Sequence, residues 1–308
     1  MSVLCIGQCG YDMIYCIPGR IEENIKARVS EKYELPGGPA ACASALTGKW
    51  GLETRLVTHV GDDLFADAIV RGLEKFAVDV SYVKRFAGTE SSRSFVLRHS
   101  DNGNRTAFNY PGTAMDPDLP LPPEWDVLLI DSHEKSASYK ALAANPSAVS
   151  ILDGGTAREH TVALARKVDY LVCSEVFAAG FTGETLALED PRRLAAQYRR
   201  LAELAPQTVV TLGGRGLLYR QGTTLLRMPA FRVECVDTLG AGDIFHGAFA
   251  YGLHQKLSFE QTLKISTAAS GLSVTKIGGM SSIPERKDVF AYLKEHETEI
   301  EPIKAAEL

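Results

Sequence analysis

The run Asp237-Thr238-Leu239-Gly240-Ala241-Gly242-Asp243 sets two carboxylates around two glycines in seven residues. Before it, 231–236 has the look of a strand. After it, 244–254 carries Phe245, Ala248, Phe249 and Leu253 at helical spacing. The run is therefore expected to be a strand-to-helix turn. Its glycines let backbone N–H groups converge with no Cβ in the way. The first N–H groups of a helix lack partners and share the positive end of the helix dipole, so such a turn holds an anion. Asp243 stands at the edge of that site, where a carboxylate stays ionised. It can accept a proton from a hydroxyl while the N–H groups bear the charge on a migrating phosphoryl group. A capping role for Asp243 is the plainer alternative. Two acids and two glycines in one turn favour chemistry.

The elements that must position this turn follow from apolar periodicity. Strands are expected at 3–6, 55–58, 126–130, 149–152, 170–173 and 208–211. Helices are expected at 38–50, at 64–76 through Leu64, Ala68, Ile69 and Leu73, and at 191–204 with Pro191 in its first turn. Apolar strands alternating with helices imply βαβ units and a parallel sheet covered on both faces. Two stretches break the alternation, 11–35 and 91–110. They hold strand-like pieces at 13–17, 28–33, 94–99 and 105–109, the last two joined by the turn Ser100-Asp101-Asn102-Gly103-Asn104. They make either a small projecting sheet or two edge hairpins.

Bulk properties narrow the classes. With 45% hydrophobic residues in 308, a sizeable core is available. A net charge of -5 argues against a general nucleic-acid or membrane-surface binder. The six cysteines form no Cys-x-x-Cys pair and have no His cluster beside them, so no metal site is assigned. The N-terminus reads as a strand rather than a signal segment, and no apolar run approaches the roughly 20 residues of a membrane span. The expected location is the cytoplasm.

The motif Asp-Thr-x-Gly-Ala-Gly-Asp resembles the C-terminal signature of the ribokinase family, the phosphofructokinase-B carbohydrate kinases. Other segments agree, in the family's order. They are Asp12 after the first strand, Pro36-Gly37-Gly38-Pro39-Ala40-Ala41, Val60-Gly61-Asp62-Asp63, Val210-Thr211-Leu212-Gly213-Gly214-Arg215-Gly216, and Gly278-Gly279 before Ile283-Pro284. The resemblance implies an α/β fold over 1–308 as one domain. It would be a three-layer α/β/α sandwich with a mostly parallel central sheet and a small β-sheet lid from about 11–35 and 91–110. It implies Asp243 as catalytic base and Gly240, Ala241 and Gly242 as an anion hole. Asp12, Gly37, Gly38 and Cys42 would meet the sugar. Thr211, Gly213, Gly216, Asp237, Gly278 and Gly279 would line the ATP site. ATP and Mg2+ are the implied cofactors, with room for K+, and the lid often also serves as a homodimer surface.

Two departures stand out. Cys42 replaces an Asn that touches a sugar hydroxyl in many members, and a thiol is a poor donor. Ser174-Glu175-Val176-Phe177 replaces the Asn-x-x-Glu that helps hold magnesium, with Phe177 at the glutamate position. Segments such as Phe108-Asn109-Tyr110-Pro111 and Asp243-Ile244-Phe245-His246-Gly247-Ala248 are similar to the ketohexokinase and sulfofructose kinase branch, which adds Asn109 to the substrate side. The lid region is basic, with Lys26, Arg28, Arg93 and Arg105, and His133 follows a strand end. Such groups could read a phosphate, sulfonate or carboxylate on the substrate, or simply face solvent. Asp153 and Arg158 also follow a strand end, where parallel sheets bind ligands.

The expected activity is transfer of the γ-phosphoryl of ATP to a hydroxyl of a keto-sugar or an anionic derivative such as sulfofructose. A nucleoside kinase of the same family is the nearest alternative, and a non-catalytic sugar-binding regulator is the alternative of another class. A nicotinamide oxidoreductase is disfavoured, because Gly7-Gln8-Cys9-Gly10 lacks the Gly-x-Gly-x-x-Gly spacing.

Overall fold

Every residue of the first strand is buried, so both of its faces must be covered. The computed structural model describes residues 2–17, 19, 24, 26, 28–29, 31–99 and 105–307, the last four by backbone only. Strands β1 (Ser2–Ile6), β2 (Gly10–Ile17) and β3 (Glu31–Gly37) precede helix α1 (Pro39–Lys49). Then come β4 (Glu53–Val60), α2 (Leu64–Glu74), β5 (Val78–Asp79), β6 (Val83–Arg85), β7 (Ser92–His99), β8 (Arg105–Tyr110) and β9 (Val127–Ile130). Helix α3 (Lys135–Ala144), β10 (Val149–Gly154), α4 (Glu159–Ala165), β11 (Tyr170–Ser174), α5 (Glu175–Thr182), α6 (Pro191–Ala202) and β12 (Gln207–Thr211) continue the alternation. The chain ends with β13 (Leu217–Gln221), β14 (Thr224–Met228), α7 (Ala241–His254), α8 (Phe259–Ser273), α9 (Arg286–Glu295) and β15 (Glu301–Glu307).

Among the described residues there are two main sheets. The larger has the order β15-β14-β13-β12-β11-β10-β9-β1-β4-β5, with β6 also paired to β4. It is parallel from β5 through β12, with β6 also parallel to β4, and antiparallel from β12 to β15. Side-chain alternation along β1 divides the core. Val3 and Cys5 pack with Leu46, Ile69, Phe249 and Leu263 of α1, α2, α7 and α8. Leu4 and Ile6 pack with Ala141, Leu164, Phe177 and Tyr198 of α3 to α6. That is the expected three-layer α/β/α arrangement.

The second sheet has the order β3-β2-β7-β8, which decides for a separate sheet over two edge hairpins. Its strands run further than the sequence indicated. In particular β3 covers 31–37 rather than 28–33, so Arg28 lies outside it. The turn 100–104 lies outside the described residues, while β7 and β8 pair antiparallel from Arg98 opposite Arg105 to Arg93 opposite Tyr110.

Two local expectations are corrected. Residues 231–236 form no strand. Val236 and Asp237 give their N–H groups to the Val274 carbonyl at the end of α8, so this stretch follows a helix end and not a sheet edge. In α2 the buried positions are Ala66, Ile69 and Leu73, whereas Leu64 is 84% exposed. Asp63 caps this helix by accepting from the Ala66 N–H, which turns the first position outward.

Candidate active site

Helix α1 is made of small residues and is buried almost throughout. A Cβ at Gly247 of α7 would lie 2.8 Å from the Ala43 carbonyl oxygen. The two helices therefore cross at a contact that only small side chains permit. This crossing sets the start of α1, with Cys42, beside the start of α7, with Asp243. Gly240 caps α7 at φ 75 with no side-chain capping bond, and a Cβ there would sit 3.0 Å from the Gly279 Cα. Gly242 has open space where a Cβ would project. The Ala241 N–H is given to the Thr238 carbonyl at 3.3 Å, and the first-turn N–H groups of α7 that follow it, at a helix start with no side-chain cap, are the ones that would accept a phosphoryl group.

Asp243 is half-buried at this helix start. Loss of hydration raises its carboxyl to about 7, with the Asp153, Asp12 and Asp131 carboxylates adding to the rise and His246 opposing it. Asp12 enters from lid strand β2 and is also raised by burial, against a hydrogen bond from Ser94. A Cβ at Gly37 would collide with the Asp12 carboxyl at 2.1 Å, which accounts for glycine there. Gly38 has φ 98, and a Cβ would meet the Gln8 carbonyl oxygen at 2.5 Å. Burial, then Asp243 and Asp12, pushes the Cys42 thiol well up, so it stays protonated between those two acids. Asp12, Gly37, Gly38, Cys42 and Asp243 are therefore brought together.

The lid is fastened to the body near the same turn. Arg105 on β8 hydrogen-bonds the Thr238 hydroxyl and lies 3.8 Å from the Asp237 carboxylate. Arg98 on β7 is buried and donates to the Val236 carbonyl at 3.0 Å. Asn109 pairs opposite Ser94, so it shares the inner face of the lid with Asp12. Arg93 lies on the opposite face, ion-paired to Glu90 and stacked on Phe65 and Tyr110. Lys26 and Arg28 are exposed, and among the described residues no hydrogen bond or ion pair joins them to Asp12, Cys42 or Asp243.

Of the residues expected to line the nucleotide site, Gly213 and Gly216 have φ 57 and φ 91, and Gly213 has open space around it. Gly216 is a packing requirement, since a Cβ would lie 2.0 Å from the Met228 carbonyl oxygen. Thr211 gives its hydroxyl to the Cys173 carbonyl. Asp237 is only 3% exposed. Its two oxygens accept from the Leu239 and Gly278 N–H groups, so it acts as a strut inside the turn. Gly279 donates to the Leu239 carbonyl and ties the 278–279 segment to the same turn.

Two acids escaped sequence reasoning. Asp131, after β9, accepts from the Gln8 and Ala40 N–H groups and from the His133 N–H and Nδ1. Burial opposes its ionisation, but His133 and these bonds outweigh it and hold the carboxyl below the usual range. In return the Asp131 carboxylate raises His133, with burial and Arg158 opposing. Glu134, buried, takes hydrogen bonds from Thr58 and His59. The signal available was the Ile130-Asp131-Ser132-His133-Glu134 run at a strand end, of which only His133 was singled out. A cavity of about 150 Å³ opens beside it, lined by Gln8, Ser92, Thr113, His133 and Glu134.

Among the described residues no group of three acids, histidines or cysteines could hold a metal. Glu175, nearest the departed magnesium motif, is engaged with Arg215 at 2.5 Å. No helix among them is long and apolar enough to cross a membrane.

Comparison with known proteins is consistent along nearly the whole chain. Residues 1–286 match the profile of the pfkB family of carbohydrate kinases. A ribokinase of Lactococcus lactis subsp. lactis is 29% identical over 280 residues, covering 85% of this chain and 87% of that protein. A deoxyribokinase of Salmonella typhi is 28% identical over 272 residues, covering 85% and 88%. The solved structure of a ribokinase from Thermotoga maritima superposes with a TM-score of 0.80 at 26% identity, covering 95% of this chain and 99% of that one.

Proposed function

The chain belongs to the pfkB family of carbohydrate kinases, phosphotransferases with an alcohol group as acceptor, and on that premise we propose that it moves the γ-phosphoryl of ATP to a hydroxyl of a small sugar, with Asp243 as the base. One observation carries this reading: a half-buried carboxylate stands in the first turn of α7 beside N–H groups that no side chain caps. The sugar hydroxyl gives its proton to Asp243 as its oxygen attacks phosphorus. The bond to the ADP oxygen breaks, and the N–H groups around Gly240, Ala241 and Gly242 bear the charge on the moving group. Asp12 and Asn109 orient sugar hydroxyls from the lid. Cys42, a protonated thiol, contributes shape more than hydrogen bonding. Thr211, Gly213, Gly216, Gly278 and Gly279 form the nucleotide side, with Asp237 holding the turn between them. Magnesium would be carried by the phosphate oxygens of ATP and by water, neutralising charge there; no described side-chain cluster offers it a cage.

Polar Asp12, Ser94, Arg98 and Asn109 on the inner lid face suit a sugar better than the flat face of a nucleoside base. The ribokinase and deoxyribokinase relatives put pentoses first among acceptors to test. A keto-sugar with an anionic end, such as sulfofructose, is favoured by His133, whose pKa Asp131 raises at the neighbouring cavity. ADP release measured against ribose, deoxyribose, fructose, sulfofructose and nucleosides separates these. No sugar-dependent ADP release with any acceptor would leave only the regulator reading.

A homodimer through the lid is part of the same proposal. The lid face away from the site carries Tyr15, Phe95 and Phe108 in ring contact, with Phe95 39% and Phe108 57% exposed. Sedimentation at twice the 33.4 kDa chain mass, lost in Phe108→Asp, is the expected result. A wild-type monomer would remove the dimer.

A further inference from the structure

The register of the smaller sheet sorts one of its faces into rows. Paired residues share a face, and every second residue returns to it. Asp12, Ser94 and Asn109 stand abreast on β2, β7 and β8. Two residues along come Ile14, Val96 and Ala107, and two further along come Cys16, Arg98 and Arg105. On β8 all three members, Asn109, Ala107 and Arg105, are exposed. The face therefore offers hydrogen bonds at one end, an apolar middle and two guanidinium groups at the other.

Arg98 and Arg105 are directly opposite each other, and like charges so placed repel. Little answers them. Arg98 is 8% exposed. It gives one N–H to the Val236 carbonyl at 3.0 Å and reaches the Cys16 sulfur, a weak acceptor, only at 4.0 Å. Its Nε has no partner among the described residues. Arg105 hydrogen-bonds the Thr238 hydroxyl, and the acid nearest it among the described residues is Asp237, at 3.8 Å. That carboxylate already accepts from the Leu239 and Gly278 N–H groups. Glu31, opposite Cys16, ends the same row, but β2 separates it from Arg98. Two guanidinium groups thus share one partly spent carboxylate. A buried cation left this way is costly, and a bound anion would remove the cost.

We propose that Arg98 and Arg105 form a subsite for an anionic end of the acceptor sugar, a phosphate, sulfonate or carboxylate on a carbon remote from the reacting hydroxyl. The rows of Asp12 and Arg98 are four residues apart along the strands, about 13 Å. Two long side chains reach into that gap, and Arg105 meets Thr238 in the same turn that carries Asp243. The remaining span suits one sugar, with hydroxyls on Asp12 and Asn109, its carbon frame over Ala107 and its charge on the arginines. A guanidinium pair holds such oxyanions through forked, charge-assisted hydrogen bonds. The pair selects the substrate and touches neither phosphorus nor the attacking oxygen. The inference rests on the reading that this face meets the sugar, and it deepens that reading.

Binding without ATP tests it. Fructose, sulfofructose and fructose 6-phosphate are titrated by calorimetry into the full-length protein. At least one anionic sugar should bind wild type about tenfold more tightly than fructose. Arg105→Gln, at a side chain 33% exposed, should fold and lose most of that preference, and Arg105→Lys should keep part of it. Arg98→Gln should lose it as well. Equal affinity of wild type for all three sugars would overturn the proposal. So would an Arg105→Gln protein that weakens for all three alike, since the arginines would then only fasten the sheet to the turn. A raised KM for ATP in Arg105→Gln, with the sugar preference intact, would assign the pair to the nucleotide phosphates and overturn it too. The kinase reading fails separately: a protein that releases no ADP with any sugar would discard that reading, while the calorimetric preference still decides the anion subsite.

Discussion

At the floor of the site, Asp131 alone gathers the chain after β1, the start of α1 and the turn after β9 through hydrogen bonds to Gln8, Ala40 and His133. Across the cleft, strand β8 is exposed along its whole length and, among the described residues, pairs only with β7. Where the lid meets the turn that precedes α7, the polar fastenings are Arg98 to Val236 and Arg105 to Thr238 and Asp237. The floor is over-determined, as a preorganised charge site requires. The smaller sheet is lightly held, as the proposed lid, admitting sugar and then excluding water, would require. Chemistry should therefore depend on the floor, and affinity and closure on the lid.

The largest effect should come from the floor. Asp243→Asn is expected to lose about 100- to 10,000-fold in turnover while still folding. Its stability also has a sign. The Asp243 carboxyl is raised on folding, so the unfolded chain ionises first and wild-type stability falls as pH rises from the ordinary carboxylate range towards about 7. Asp243→Asn lacks that penalty, so melting above about pH 7 should match or exceed wild type. A markedly lower melting temperature would show that Asp243 is structural.

Gly240→Ala comes next. A side chain at φ 75, with its Cβ 3.0 Å from the Gly279 Cα, should cost about 1–2 kcal/mol in strain and misplace the N–H groups. About tenfold lower kcat with a modest fall in melting temperature is expected. Unchanged kinetics would mean that the turn tolerates being opened.

Lid variants should act on KM. Arg98→Ala removes a buried charged donor worth about 1.5–3 kcal/mol. It should raise the sugar KM and speed hydrogen exchange across 31–37 and 92–99. Arg105→Ala, with its side chain 33% exposed, should do less. Saturation with sugar should slow exchange in the same strands. Equal protection with and without sugar would make the lid a fixed wall. The smallest effects belong to Lys26→Ala and Arg28→Ala, exposed positions where changes within about 0.5 kcal/mol are usual. A large KM increase confined to an anionic sugar would instead place them in the site.

The floor was also the more legible half. The turn 237–243 announces itself because its requirements are local: glycines where N–H groups converge, an acid at a helix start. The alternation of buried strands and helices is local as well, and it specified the three-layer sandwich. Misreadings came where partners are distant in sequence. Residues 231–236 alternate like a strand but find a helix end instead of a neighbour. Asp131 is one acid among 38 in the sequence, and only folding brings Gln8 and Ala40 to it. The lid strands are mixed in polarity because one face meets the site and the other does not, so their limits were blurred.

The dependence of kcat/KM on pH, for wild type and Asp243→Asn with the preferred sugar, tests the central claim most directly. A base works when ionised, so wild-type activity should be full above about 7 and fall tenfold per unit as pH drops through that value, where the Asp243 carboxyl takes up its proton. The residual activity of Asp243→Asn should show no such limb. A wild-type profile that is flat down to the ordinary carboxylate range, or an Asp243→Asn profile that keeps the same limb, would contradict the account.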